Sequence, residues 1–545
     1  MSSDPPRTFG WPAFGREDEL SLKLTLASEK DTAPDPHQIA VALVTMAEEL
    51  FPAKHTKRNT PQRGVFLPWC KLYETNSYVE TASQIAATPA SLYGLIRRSQ
   101  QVVGLLAREY SKESDGRYTL SVFNSVSNRH GRKAKQSGMH MNYLVSNVLF
   151  DRMRLRRKSK KELTYEQRAW SSLLALASPL VGAGKVGGDG KNKRTGFQLT
   201  ERADFVVKDK NALFHERDEP HADPKRFGRL HVVNREGNRS YWSICFDVAI
   251  SAVMLQALEA GALDLPWYIV RPDVAIKRIS NDIDFTRCVR IVTREGRAAN
   301  EKPLVLLAEL LALLAEFAAT LPYAWGSYFI EEAREVVAHL DRGDWRGLPA
   351  TMIDWAIKRK FLEYYMMRGG YEWNDAHIRL LDLLYHCLDD ETVWLAAAKV
   401  CKVRDFEIHH MPFGDPASDG FMASRGPRET RAYLTELCIR DSHLARSTRI
   451  VDWDMLEFIE EENGRMKILM LSNPLAFNAA HIKRIVRGDF DFSTRARRLR
   501  LLYALQKDQN NARSRISSER GLHIQVSKDL VAIEREIARE AAANG

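Results

Sequence analysis

The stretch His215–Val233, HERDEPHADPKRFGRLHVV, decides how the rest of this chain is read. It holds three histidines (His215, His221, His231), four carboxylates (Glu216, Asp218, Glu219, Asp223) and four cations (Arg217, Lys225, Arg226, Arg229), and it ends in the strand-like run Leu230–Val233. Apolar segments flank it, 197–207 before and 244–258 after. A charge-dense loop is ordinarily a solvated surface. Between two core-forming segments it becomes a candidate site, because a rigid scaffold is what positions loop groups for binding and catalysis.

Working outward, the chain has 545 residues, 44% apolar and 28% charged, with a net charge of +10. At roughly 150 residues per domain this allows three or four domains, or one large domain with an appendage. Six cysteines without paired short spacings exclude a disulfide framework and a cysteine-type zinc site. Their reading as reduced thiols, and the lack of a basic-then-apolar leader in MSSDPPRTFGW, predict a cytoplasmic protein. The longest apolar segment, 303–322, carries Glu309 and Glu316 seven residues apart on one helical face. It reads as a buried amphipathic helix, so no membrane is expected. The basic excess is local: Arg152, Arg154, Arg156 and Arg157 lead the run RMRLRRKSKK, and Lys185, Lys191, Lys193 and Arg194 form a second cluster. Such runs hold phosphates or an acidic protein as well as nucleic acid, which is the less favoured partner.

Near the N-terminus, residues 17–26 alternate polar and apolar, a period-2 strand pattern. Glu17 and Glu19 therefore share one face, where they repel unless a cation lies between them. A bland edge strand and a divalent-metal wall are the two readings. Helices are expected at 37–50, 89–109, 165–177, 243–260, 303–321, 330–340, 350–367, 373–388, 428–445 and 478–487, and strands at 118–123, 141–148, 197–207 and, around a turn, 450–471. The first half is mixed and the second helix-rich, an α+β pattern. Gly182-Ala-Gly-Lys is not a P-loop, because the spacing GxxxxGK[ST] is absent. Glu17, Glu19, Glu74, Glu80, His140, His221 and His231 form a dispersed set of possible ligands, with Arg202, Arg217 and Arg229 available for phosphate charge. Spacing alone does not join them.

Their order does. Arg217-Asp-Glu-Pro-His-Ala-Asp-Pro followed by Arg229-Leu-His-Val, Gly182-Ala-Gly-Lys-Val, Leu199-Thr-Glu-Arg-Ala-Asp, Ile353-Asp-Trp-Ala-Ile-Lys-Arg-Lys, Leu381-Asp-Leu-Leu-Tyr-His, Thr430-Arg-Ala and Val451-Asp-Trp together resemble the Pup ligase/depupylase family over about residues 14–490. The resemblance implies a glutamine-synthetase-like antiparallel sheet packed with helices, and a small C-terminal domain. The expected divisions are an irregular arm (1–13), the catalytic domain (14–425), the C-terminal domain (426–490) and a charged helical tail (491–545).

The resemblance also implies roles. Gly15-Arg-Glu17-Asp-Glu19 matches a metal-binding GxExE strand, and an ungapped match puts Glu74 at the family's catalytic aspartate and Glu80 at the glutamate after it. Glu17, Glu19, Glu80 and His140 are then Mg²⁺ ligands, Glu74 the catalytic base, and Arg202, Arg217, Arg229 and His231 ATP or phosphate ligands. Arg152, Arg154, Arg156 and Arg157 become a rim for a small acidic Pup-like modifier. Three departures stand out: Met141 and Tyr241 replace family glutamates, and Asp247 replaces a lysine. Only 55 positions separate Glu19 from Glu74, which resembles the ligase branch, whose loop there is short. The expected activity is ATP-dependent joining of the modifier's C-terminal glutamate to a protein lysine through a glutamyl phosphate. A catalytically impaired subunit that pairs with an active homologue or binds the modifier is the alternative, and depupylase-type hydrolysis the third reading.

Overall fold

A computed structural model describes residues 12–29, 31–56, 63–75, 78–125, 138–153, 163–187, 196–205, 215–216, 227–405, 430–440, 445, 448–453, 455–459 and 466–471. The expected helix at 478–487 and the tail lie outside them. The strands are β1 (Phe14–Leu26), β2 (Lys54–His55), β3 (Gly64–Phe66), β4 (Cys70–Thr75), β5 (Tyr78–Ser83), β6 (Tyr118–Phe123), β7 (Met139–Ser146), β8 (Lys185–Val186), β9 (Phe197–Gln198), β10 (His215–Glu216), β11 (Phe227–Arg235), β12 (Trp267–Ile269), β13 (Val289–Thr293), β14 (Ala298–Glu301), β15 (Thr448–Val451), β16 (Met455–Ile459) and β17 (Met466–Met470).

Twelve of them form one sheet in the order β10-β11-β7-β1-β5-β4-β3-β2-β15-β16-β17, with β6 pairing the distal half of β1. Every pairing in it is antiparallel except β15 on β2. The three C-terminal strands thus continue the main sheet. Helices and an antiparallel sheet make this an α+β fold, as the pattern of the sequence predicts.

Alternation of side chains gives the sheet two unlike faces. Leu20, Leu72, Val79, Met141, Tyr143, Val145, Leu230 and Val232 point into one core with the helices Pro36–Leu50, Pro89–Glu113 and Tyr241–Glu259. The Tyr241–Glu259 helix is long and apolar enough to cross a membrane by composition, yet it is buried inside the fold. The Pro303–Ala318 helix buries Leu304, Leu307, Leu311 and Leu314, while its Glu309 accepts a bond from Trp267 Nε1 at 2.7 Å. Two expectations fail locally. Residues 197–207 are not a continuous strand: after β9 the chain turns into a 3₁₀ turn, Arg202–Phe205, because backbone N–H groups there bond to side chains instead of a ladder. Lys185 belongs to no surface cluster; it is buried in β8.

Several charged groups enter the core in pairs, since an unpaired buried charge is costly. A bulge in β11 between Val232 and Arg235 turns Arg235 to the core face, where it meets Asp247 at 2.9 Å and donates to Ser251 Oγ. Glu391 ties the helical half to the sheet-covering helices. It accepts from Arg97 Nη2 at 2.9 Å and from Arg239, both buried. Burial pushes the Glu391 carboxyl up, but the Arg97 and Arg239 guanidiniums outweigh it and hold the group down at about 2. A carboxyl depressed in the folded state stabilises above its unfolded value and loses that contribution as pH falls toward the folded value. Between pH 4.5 and 2, urea unfolding is therefore expected to show a stability loss that Glu391→Gln removes, with the variant about 3 kcal/mol less stable than wild type at pH 7.

Candidate active site

The opposite face of the sheet carries the chemistry. Register decides which side chains stand there: Glu17 is opposite His140 on β7 and Ala82 on β5, Glu19 opposite Glu80, Glu80 opposite Tyr73, and Asn142 opposite His231. Residues directly opposite in an antiparallel pair share a face. The open face therefore reads, across five strands, Tyr73 and Thr75, Glu80, Glu19 and Glu17, His140 and Asn142, then His231 and Arg229.

The contacts are dense. Arg229 Nη2 and Asn142 Nδ2 donate to Glu17 Oε1 at 3.0 and 3.1 Å. Arg229 Nε donates to Asn142 Oδ1 at 2.8 Å, which fixes that oxygen as an acceptor. His231 Nδ1 lies 2.8 Å from the same oxygen, so it is a donor, and in the neutral imidazole the lone pair is then on Nε2. The 3.4 Å approach of Arg229 Nη2 to Nδ1 is then donor against donor and the weaker of the two. Orienting an imidazole through its far nitrogen is what prepares the other for a metal. His140 Nδ1 lies 3.7 Å from Glu17 Oε2 and has no hydrogen-bond partner among the described residues. Glu17, His140 and His231 each present a ligand atom within 4.8 Å of the others. Glu19 accepts from the Gly138 N–H at 2.5 Å, and a Cβ on Gly138 would fall 2.1 Å from His140 Nε2, so only glycine fits.

Three carboxylates share this face, and the effect shows at Glu80. Burial, then the charge of Glu17, pushes Glu80 up to about 7 against the bond from Tyr73 OH; Thr75 Oγ1 also donates to it at 3.1 Å. A buried imidazole nitrogen with no hydrogen-bond partner among the described residues, beside carboxylates that repel, fits a divalent cation. Glu17, Glu19 and Glu80 offer the oxygens Mg²⁺ prefers, and His140 and His231 add nitrogen donors that Mn²⁺ or Zn²⁺ take as readily. Arg202, in the 3₁₀ turn, is nearly buried; burial lowers its guanidinium against the charges of Glu236 and Glu19. Alongside the row lies a cleft lined by Gly15, Glu17, Asn142, Arg229, Arg431 and Trp453. Trp453 stacks edge-on against Phe66, ring centroids 4.9 Å apart.

Several expectations change. Glu74 is not in the row. Thr75 pairs with Tyr78, so Tyr73 meets Glu80 and Glu74 meets Val79 on the core face, where its carboxylate lies 3.0 Å from His37 Nδ1. An ungapped alignment carries identity but not register, and one residue of slip turns a strand over. Met141 is likewise on the core face, opposite Arg16, and Tyr241 packs at the start of its helix against Tyr93, centroids 5.1 Å apart. Neither stands on the open face, so their replacement of glutamates does not empty it. Asp247 is the partner of Arg235. His231 joins the metal-competent set rather than lying apart as a phosphate ligand. Arg152 is exposed, in the helix Asn147–Met153 that follows β7, and bonds to Glu166 at 3.2 Å. Arg217, His221, Arg154, Arg156 and Arg157 lie outside the described residues. Tyr73, Thr75 and Asn142 were missed; alternation counted back from Glu80 through a two-residue hairpin would have found the first two.

Against known protein families, the model described as "Pup-ligase protein" matches residues 47–457, more than half the chain. This chain belongs to the Pup-ligase family. Similar family members include the Pup–protein ligase of Bifidobacterium dentium, 26% identical over 423 residues (73% of this chain, 80% of that protein), and the depupylase of Acidothermus cellulolyticus, 22% identical over 428 residues (76% and 78%). A crystal structure of the complex between the prokaryotic ubiquitin-like protein Pup and its ligase PafA superposes with a TM-score of 0.69 at 18% identity, over 87% of this chain and 91% of that one. The Pup ligase PafA with ADP gives 0.62 at 18%, over 84% and 93%. The shared Pup-ligase fold is what these superpositions establish.

Titrating Mn²⁺ by electron paramagnetic resonance checks which face binds. Glu17→Ala and His231→Ala are each expected to weaken Mn²⁺ by about tenfold or more, and Glu74→Ala to leave it within about twofold.

Proposed function

We propose that this chain binds Mg·ATP on the open face and joins the C-terminal glutamate of a small acidic Pup-like modifier to a protein lysine. The observation that carries the reading is the row Glu17, Glu19 and Glu80 on one face, with Arg229 and Arg202 beside it and the cleft alongside. Phosphoryl transfer needs carboxylates to hold cations and guanidiniums to meet developing charge. Membership of the Pup-ligase family and the similarity to ligases named for Pup support the choice of modifier.

In this reading Glu17, Glu19, Glu80, His140 and His231 hold the metal, which screens the phosphates when bound. Arg229 and Arg202, with Arg217, contact phosphate oxygens, and Trp453 offers an aromatic face to the base. The modifier's γ-carboxylate oxygen attacks the γ-phosphorus and ADP leaves, giving a glutamyl phosphate. The lysine amine then attacks the acyl carbon, the acyl C–O bond breaks and phosphate departs. The amine's proton goes to a carboxylate of the row. Arg152 and the basic run after it would steer an acidic partner.

A second reading, a non-catalytic nucleotide- or modifier-binding subunit that pairs with an active homologue, is favoured by one observation. The groups that β4 sets beside Glu80 are hydroxyls, Tyr73 and Thr75, while its carboxylate, Glu74, faces the core. The two readings part in one assay of ATP, Mg²⁺, modifier and a lysine substrate, followed by gel shift and ADP release. The ligase reading expects a conjugate, a drop of about 10²-fold or more in Glu80→Gln, and near-wild-type rates in Glu74→Gln. ATP binding with neither ADP release nor conjugate selects the second reading.

A further inference from the structure

Glu236 lies in the loop between β11 and the Tyr241–Glu259 helix, fully buried and out of the row. Its side chain collects three backbone donors from two separate segments. Oε2 accepts from the Ala183 N–H at 3.1 Å and the Glu201 N–H at 2.9 Å; Oε1 accepts from the Arg202 N–H at 2.8 Å. Its own carbonyl accepts from Arg16 Nη2 at 3.0 Å, and Arg16 also binds Asp18 at 2.5 Å. Arg16 and Asp18 belong to β1, the strand of Glu17 and Glu19. One residue therefore ties the backbone of Arg202 to the strand that carries the carboxylates.

The rest of the turn is anchored elsewhere. The Leu199 and Thr200 N–H groups bond to Ser280, on another helix, at 2.9 and 3.2 Å. The Glu201 side chain points away, into a buried group in which Ser125 Oγ donates to it and His386 Nε2 lies at 3.3 Å. Lys358 closes that group, 2.7 Å from His386 and 3.1 Å from Asp382. Glu236 joins this body to β1 at Arg202. Three inward N–H groups need an acceptor with two oxygens, which a carboxylate supplies and an amide does not. Burial, then the charge of Glu201, raises the Glu236 carboxyl to about 7 although the three N–H groups pull it down, so the group is kept at a cost in solvation.

We propose that Glu236 is a positioning residue for the anion site: by anchoring the Arg202 backbone it sets the guanidinium against the carboxylate row, without touching the ligand. This rests on the nucleotide-binding reading above, and a polyphosphate probe separates the two. A side chain that acts through another has no effect once the other is gone, so a double-mutant cycle isolates it.

The experiment uses the full chain as wild type, Glu236→Gln, Arg202→Ala and the double variant, with calorimetric titration of Mg·ATP and of magnesium-free tripolyphosphate. Glu236→Gln is expected to weaken tripolyphosphate about tenfold, Arg202→Ala at least as much, and the double variant no more than Arg202→Ala alone. If Glu236→Gln does not fold, Glu236→Asp, which keeps the charge but withdraws it by one methylene, is put through the same cycle. Unchanged binding in the Glu236 variant, or effects that multiply in the double variant, overturns the inference. Wild type that binds tripolyphosphate but not Mg·ATP sinks the nucleotide reading while the cycle still decides this one; binding of neither overturns both.

Discussion

Everything at the site depends on how β1 is paired. It lies between β5 and β7, which pair with Glu17–Leu20 and Phe14–Asp18 and so hold Glu17 and Asp18 from both sides. That double pairing places Glu17 beside His140 and Glu19 beside Glu80, with no freedom to slide, because a one-residue slip would send Leu20 outward and both glutamates into the core. The core face makes the slip expensive: Phe14 and Leu20 are buried with Val79 and Tyr143. Hydrophobic burial on one side of the sheet is thus what holds a row of like charges together on the other.

That row concentrates like charge. Three carboxylates face one another, and among the described residues Arg229, Asn142, the Gly138 N–H and two hydroxyls donate to them. The result is a carboxyl at Glu80 held near neutrality and a buried His140 nitrogen without a partner among the described residues. Groups perturbed in this way mark sites built to receive a charge rather than to stabilise a fold. The core face shows the contrast: Arg16 with Asp18, Arg235 with Asp247, and Arg97 and Arg239 with Glu391 are each closed pairs.

Much of this was legible in the sequence. Alternation alone put Glu17 and Glu19 on one face, and the long apolar helices were read within a few residues of their ends. The ordered motifs led to the family. What failed were statements that required cross-strand register. Glu74 was placed by ungapped matching, yet which face of β4 it occupies is set by the hairpin to β5. Met141 and Tyr241 read as losses of ligands only until their faces were known. Glu201, Lys358, Asp382 and His386 fall inside the quoted motifs, but nothing local shows that they meet, and Glu236 carries no local signal, because its side-chain partners lie 34 to 53 residues away and no period connects them.

The central claim is that the face carrying Glu17, Glu19 and Glu80 is where nucleotide and metal meet. Crystals grown with ADP and Mn²⁺, and measured at the manganese edge, test it directly. The account predicts an anomalous peak within coordination distance of Glu17, with the nucleotide phosphates between it and Arg229. A peak beside Glu74 on the helix-covered face, or nucleotide bound away from the cleft between Arg229 and Trp453, would contradict it.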